Sequence, residues 1–242
     1  MRQYGLIGYP LSHSFSKKYF EEKFAREHIT SCGYQLYELA AIEELPGLLT
    51  NTPNLCGLNV TIPYKQAVIP YLHSLSAEAE SIGAVNCIKM SHGKLQGHNT
   101  DWYGFETSLK RFLQHSPQQA FILGTGGSSK AVAYVLNRLG LPYSYVSRTA
   151  GNNAISYESI AAQLKQSNLF INTTPLGMYP NLTDAPAIPY HQLSSTDYLF
   201  DLIYNPAETA FMKQGKEHGA QTHNGLAMLQ LQAEKSWEIW NS

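Results

Sequence analysis

Short apolar runs rich in β-branched and aromatic residues alternate with stretches of helical periodicity along almost the whole chain. QYGLIG (3–8) is short and apolar enough for a strand. SKKYFEEKFAREH (16–28) repeats its apolar residues at helical spacing, YQLYELA (34–40) returns to strand character, and IEELPGLL (42–49) reads as helix again. A second, more regular series starts near residue 101, with Trp102, Phe105, Leu109, Phe112 and Leu113 on one helical face. It continues with the strand-like AFILG (120–124), the helical SSKAVAYVLNRLG (128–140) and the strand-like PYSYV (142–146). This alternation predicts an α/β protein. The change of rhythm predicts a boundary near Asp101, between an N-terminal α/β domain (1–100) and a doubly wound domain (101–224). In the last segment, Leu226, Leu229, Ala233, Trp237 and Trp240 are spaced 3, 4, 4 and 3. That spacing predicts one amphipathic helix within 225–242, with those residues on its core face, expected to pack back on the first domain. Connections are short, so a cleft between two domains is the expected place for a ligand.

Composition narrows the class. The 242 residues are 43% hydrophobic but only 14% charged, with 17 basic against 18 acidic side chains. Such a length allows two domains with full cores. Without a Lys/Arg run there is no electrostatic footprint for a nucleic-acid backbone or an anionic bilayer, so neither nucleic acid nor membrane is an expected partner. The uncharged stretch from Leu45 to Tyr64 is broken by Pro, Asn, Thr and Gly and does not read as a membrane span. The first apolar run is cut at Gly8 and Pro10, too short for a signal-peptide core, which makes cytoplasm the expected location. Cys32, Cys56 and Cys87 form no C-x-x-C, and the nine His include no i, i+4 pair on a helical pattern. Neither a disulfide framework nor a metal site is therefore expected.

The strand-like AFIL is followed by Gly124-Thr125-Gly126-Gly127-Ser128-Ser129, opening a helix whose apolar face includes Ala131, Val135 and Leu139. The string reads G-x-G-x-x-S. Its glycines allow a tight turn and close approach of backbone to a pyrophosphate, and the helix N-terminus supplies N–H donors and a positive dipole end. The same string also suits an ordinary glycine-rich βα turn. It is not a P-loop, because Ala131 follows Lys130. The next strand ends in Ser147-Arg148-Thr149, about 20 residues on, where an NAD site places Asp or Glu for the ribose hydroxyls. No carboxylate is present there. Arg148 offers a planar fork for a 2′-phosphate and the two hydroxyls add donors, which favours NADP, although an ordinary solvated loop arginine also fits.

Further strings complete the picture: GYPLSHSFS (8–16), GLNVTIPYK (57–65), GAVNCI (83–88), GHNTDWYG (97–104), NTTPLGM (172–178), DLIYNPAET (201–209) and NGLAMLQLQA (224–233). With the glycine loop they make eight motifs, in order over nearly the whole chain, that strongly resemble the shikimate dehydrogenase family. The resemblance implies a substrate domain followed by an NADP-binding Rossmann domain, and reduction of 3-dehydroshikimate to shikimate with NADPH on the route to chorismate and the aromatic amino acids. It implies Lys65 and Asp101 as the catalytic pair: an ammonium to protonate the carbonyl oxygen and a carboxylate to orient it. Ser14 and Ser16 would hold the substrate carboxylate, with Tyr204 reaching it too. Asn59, Asn86 and Asp101 would read the ring oxygens, and Thr61 and Gln232 complete the neutral substrate-binding set. The implied cofactor positions are Gly124, Gly126, Gly127, Ser128, Ser147, Arg148, Thr149, Thr173, Gly225 and Met228. No metal is implied, and the chain would act as monomer or homodimer.

Plainer readings exist for several of these. Lys65 could be a surface residue after the IPY turn, Asp101 a helix N-cap, and Ser16 the N-cap of the helix at 16–28. Gln232 and Met228 share a face at i, i+4, so either both line the cleft or both are incidental surface. The chain also departs from the family. Lys17 stands where Pro is usual, SRTAGN (147–152) places Ser147 for Asn and Asn152 for Lys at the 2′-phosphate site, and the segment after the glycine loop is short. A quinate/shikimate branch using NAD, and a catalytically silent NADP-binding regulatory module, are the competing functions. The missing carboxylate near Arg148 argues against the first, and the presence of both Lys65 and Asp101 against the second.

Overall fold

The structure, a computed structural model, describes residues 1–11, 14–149, 151 and 154–242; Ser12, His13 and Asn152 lie outside the described residues. The chain forms two compact units, Met1–Thr100 with Gln232–Ser242, and Asp101–Leu231.

The first unit holds the strands β1 (Arg2–Gly8), β2 (Cys32–Glu38), β3 (Leu55–Val60), β4 (Ser74–Leu75), β5 (Cys87–Ser91) and β6 (Lys94–His98), and the helices α1 (Phe15–Arg26), α2 (Leu45–Asn51), α3 (Tyr64–Ala67) and α4 (Ala77–Ile82). Its sheet has the order β2-β1-β3-β5-β6-β4, with β5 antiparallel to both its neighbours and the other pairings parallel. β1 lies between two parallel partners and buries five residues in succession, Tyr4 to Gly8, because both its faces are covered. Helix boundaries follow local chemistry. The Ser14 and Ser76 side chains accept from the first-turn amides of α1 and α4, and Gly83, at φ 68°, ends α4 in the left-handed region. Ser14, not Ser16, therefore caps α1, and Ser16 sits inside its first turn, so the capping explanation of Ser16 does not hold.

The second unit contains α5 (Asp101–Phe112), β7 (Gln119–Leu123), α6 (Gly127–Arg138), β8 (Tyr143–Val146), β9 (Ala154–Ile155), β10 (Asn168–Asn172), β11 (Tyr198–Asp201), α7 (Ala210–Glu217) and β12 (Gln221–His223). All its strands are parallel, in the order β12-β11-β10-β7-β8-β9. Counted from β7 this is 3-2-1-4-5-6, the doubly wound dinucleotide order, with its switch point between β7 and β10. The central strands β10 and β11 are buried throughout, as parallel strands covered on both faces must be.

The last helix, α8 (Leu226–Asn241), begins in the second unit and ends in the first. In the first unit its Trp240 packs over β3. A Cβ on Gly57 would fall 2.4 Å from the indole, and Trp240 Nε1 donates to the Ile88 carbonyl at 3.0 Å. Tyr4 stacks on the same indole at 4.9 Å. The buried stripe of α8 is not the one its apolar spacing predicts. Leu226 is 37% exposed, whereas Met228, Ser236 and Trp240 are buried. A polar residue enters the buried stripe because hydrogen bonds, described below, satisfy it.

Candidate active site

In the first unit, Ser14 and Ser16 lie at the start of α1, Asn59 on β3, Thr61 in the turn that follows, Lys65 on α3, Asn86 just before β5 and Gln232 on α8. The turn that delivers Lys65 is fixed at several points. Thr61 N donates to the Ile7 carbonyl at 3.0 Å, Tyr64 N donates to the Thr61 carbonyl at 2.8 Å, and the Lys65 carbonyl accepts from Val85 N at 2.7 Å. Tyr64 itself is buried and gives its hydroxyl to the Leu39 carbonyl at 2.6 Å. Lys65 is half-buried, which removes it from the class of freely solvated lysines. On the α1 side, Leu11 N donates to Glu38 Oε1 at 2.6 Å and Ser14 N to the Leu11 carbonyl at 3.0 Å.

Ser16, Asn59, Asn86 and Gln232 meet in one hydrogen-bond network, whereas Ser14 bonds to Leu11 and Ser16, and the Thr61 backbone to Ile7 and Tyr64. The Tyr34 hydroxyl donates to Asn59 Oδ1 at 2.8 Å, and Asn59 Nδ2 donates to the Asn86 carbonyl at 3.2 Å and to Ser236 Oγ at 3.0 Å. Asn86 Nδ2 donates to Thr100 Oγ1 at 3.0 Å and Gln232 Oε1 at 3.1 Å, while its Oδ1 accepts from Thr100 N at 2.6 Å. Ser236 donates to the Gln232 carbonyl at 2.9 Å. Burial pushes Tyr34 well above its ordinary value, opposed by a hydrogen bond to Ser16. The network thus joins Ser16, Asn59, Asn86 and Gln232. As folded, both N–H groups of Asn59 go to protein acceptors, leaving its carbonyl oxygen as the atom with capacity for a ligand. Sequence reasoning missed Tyr34, Thr100 and Ser236. The available signal was a serine four residues after Gln232 on a helix otherwise rich in apolar residues. Thr100 is covalently followed by Asp101, so the Asn86 clamp on Thr100 fixes the backbone from which Asp101 emerges. Asp101 is buried and opens α5, where a carboxylate also complements the helix dipole.

In the second unit, the glycine loop joins β7 to α6 at the switch point. Gly124 has φ +107°, and a Cβ there would lie 2.9 Å from Thr173 Oγ1. Fold geometry thus demands this glycine and places it against Thr173, whose hydroxyl donates to the Leu123 carbonyl at 2.7 Å. Gly126 is different. It has an ordinary φ of −76°, and nothing lies within 4 Å of the position a Cβ would take. It is the N-cap of α6 and supplies no side chain to the first-turn amides of Gly127 and Ser128. Open space before uncapped N–H groups fits a pyrophosphate. Ser129, in the third motif position, is buried and donates to the Gly126 carbonyl at 2.7 Å. Ser147, Arg148 and Thr149 leave the end of β8, Arg148 exposed, its charge partly offsetting the rise that burial imposes on Tyr157. Tyr204 is half-buried in the loop after β11. Gly225 is buried so tightly that a Cβ would fall 2.1 Å from the Leu202 carbonyl oxygen. Met228 belongs to the buried apolar cluster with Phe105, Val132 and Phe200, which excludes incidental surface for it.

Residues 6–88 match the shikimate dehydrogenase substrate binding domain. The NADP(+) shikimate dehydrogenase of Carboxydothermus hydrogenoformans is 38% identical over 98% of this chain and 90% of its own length, and that of Clostridium beijerinckii 41% identical over 99% and 92%. The chain belongs to the shikimate dehydrogenase family. Among solved structures, a shikimate dehydrogenase from Peptoclostridium difficile superposes with a TM-score of 0.86 at 36% identity, covering 100% of this chain and 92% of that one. The Thermus thermophilus shikimate 5-dehydrogenase, solved with NADP(H) and shikimate, superposes at 0.85 with 30% identity, covering 99% and 93%. Shikimate dehydrogenase chains thus share both the segment holding Lys65 and the parallel sheet holding the glycine loop. Among the described residues there is no cluster of three or more His, Cys, Asp or Glu suited to a metal ion, and no helix is long and apolar enough to cross a membrane.

Proposed function

We propose that this chain is an NADP-dependent shikimate dehydrogenase, reducing 3-dehydroshikimate to shikimate in aromatic amino acid biosynthesis. The observation that carries the reading is that a chain of this family has both Lys65 and Asp101 together with a glycine loop open to a pyrophosphate. Bound NADPH supplies the hydride. Lys65 gives its proton to the carbonyl oxygen as negative charge develops there, and Asp101 keeps the ammonium oriented; such groups contribute roughly 10²–10⁴-fold. Ser14, Ser16 and Tyr204 hold the substrate carboxylate. Asn86 and the Asn59 carbonyl read the ring oxygens with Asp101, positioned by the network through Tyr34 and Ser236, and Gln232 and Thr61 complete the substrate set. Gly124, Gly126, Gly127 and Ser128 would receive the pyrophosphate, and Thr173, Gly225 and Met228 are the further cofactor positions. Arg148, with Ser147 and Thr149, takes the 2′-phosphate, since no carboxylate between Pro142 and Thr149 is present to accept from a free 2′-hydroxyl. Residues 1–100 with the end of α8 form the substrate domain in this reading, and 101–224 the cofactor domain. A cytoplasmic location, as monomer or homodimer, suits the three free cysteines. The test is the rate of shikimate oxidation with NADP and with NAD: activity greater with NADP is expected, and no turnover by folded protein with either cofactor would overturn the reading.

A further inference from the structure

The motifs NTTPLGM and DLIYNPAET contribute Thr173 and Tyr204 to the reading above, yet their most buried polar residues have no place in it. Asn172 ends β10, Asp201 ends β11, and the two are register partners on adjacent parallel strands. Both are fully buried. Asp201 accepts three hydrogen bonds: from Asn172 Nδ2 at 3.1 Å and Ile203 N at 3.0 Å on Oδ1, and from the Thr209 hydroxyl at 2.6 Å on Oδ2. No cation pairs with it among the described residues, and burial pushes its carboxyl up to about 6. A buried carboxylate without a counter-ion is costly, and the geometry gives the compensating use.

We propose that Asp201 is a positioning residue: its carboxylate ties the loop leaving β10 to the loop leaving β11, and thereby sets where Thr173 and Tyr204 stand. This rests on the roles assigned above to those two residues. An ionised carboxylate only accepts, so it dictates which end of the Asn172 amide faces it. With Nδ2 turned to Asp201 and to the Leu176 carbonyl, at 3.3 Å, Asn172 Oδ1 faces the other way. It accepts from Thr174 N at 3.0 Å and the Thr174 hydroxyl at 2.7 Å, closing the turn that contains Thr173. On the other strand, the bonds from Ile203 N and Thr209 bracket Tyr204, and Thr209 also caps α7. Two more bonds hold the same loop from the segment before α8: Gly225 N to the Ile203 carbonyl at 2.9 Å, and Asn224 Nδ2 to the Ala207 carbonyl at 2.8 Å.

The test compares Asp201→Asn, Thr209→Val, Thr209→Ser and Tyr204→Phe by steady-state kinetics with shikimate and NADP, with far-UV spectra and melting curves as folding controls. Asp201→Asn keeps the shape but turns one acceptor into a donor. Folded Asp201→Asn is expected to lose roughly 10–100-fold in kcat and to raise KM for both shikimate and NADP, since Tyr204 and Thr173 are displaced together. Should that variant not fold, Thr209→Val against Thr209→Ser decides, with lower kcat for Val and near wild-type kcat for Ser expected. Wild-type kinetics in folded Asp201→Asn, or equal kcat in the two Thr209 variants, would overturn the proposal. Those results beside a raised shikimate KM in Tyr204→Phe leave the substrate role of Tyr204 intact. An unchanged KM in Tyr204→Phe overturns that role and, with it, the proposal.

Discussion

Replacing Gly126 by alanine separates a glycine required by the fold from one required by a ligand. Two intrinsic effects oppose each other in folding. At a φ of −76° alanine fits the backbone and removes freedom from the unfolded chain, worth about 0.4–1 kcal/mol in its favour. At an N-cap alanine is worse than glycine, by roughly 0.5–1 kcal/mol. The added Cβ meets nothing within 4 Å, so no steric cost follows and the sum is close to zero. At about 2–4 °C per kcal/mol for a chain of this size, the melting temperature should move by no more than a few degrees. Cofactor binding should respond quite differently. A methyl group placed where a pyrophosphate must approach the backbone acts as overpacking, about 1–3 kcal/mol, which is roughly 5- to 150-fold in affinity. The assay is KM for NADP at saturating shikimate, supported by direct titration of NADP, with KM for shikimate as the internal control. An unchanged KM for NADP in a stable variant would refute the argument that the open space before α6 receives the cofactor. The comparison variant is Gly124→Ala, which must strain φ at +107° and press on Thr173, and is expected to lose stability as well.

Lys65→Ala should lower kcat by roughly 10²–10⁴-fold while leaving the far-UV spectrum unchanged, and a normal kcat would return Lys65 to a structural role. Arg148→Ala should reduce the NADP over NAD ratio of kcat/KM by about tenfold or more, as expected for one charge-assisted hydrogen bond; an unchanged ratio would mean that another residue reads the 2′-phosphate. Ser236→Ala removes an acceptor from the half-buried amide of Asn59, costing about 0.5–1.5 kcal/mol, and should lower the melting temperature by a few degrees and raise KM for shikimate. For Asp201, the folded protein retains the carboxyl proton up to about 6, whereas the unfolded chain releases it near 3.8. Below both values the group is neutral in either state. Its contribution to stability therefore falls as pH rises between them, by about 3 kcal/mol, and the difference in urea stability between wild type and Asp201→Asn should change across this window and level off above it.

The hydrophobic pattern was sufficient for much of the architecture. Strand and helix periods are local properties, and fully covered parallel strands announce themselves as unbroken apolar runs, as in AFIL. The glycine loop was legible because turn, helix start and phosphate approach all act within six residues. Its order in the sheet, and the fact that Gly124 answers to the fold while Gly126 answers to open space, were decided only when Thr173 was brought against one and nothing against the other. The start of α1 belonged to Ser14 rather than Ser16, since a cap depends on backbone geometry that several adjacent serines satisfy equally in sequence. The buried stripe of α8 likewise escaped its apolar spacing. Ser236 gains its burial from Asn59 and Gln232, and polar satisfaction of that kind depends on partners 177 and four residues away. Asp201 shows the limit most clearly. A carboxylate at the end of an apolar strand reads as the start of a loop, and only the register of β10 against β11 places Asn172 beside it and makes it the junction of two loops. Periodicity is written along the chain, whereas hydrogen-bond partnership across strands is a property of tertiary structure.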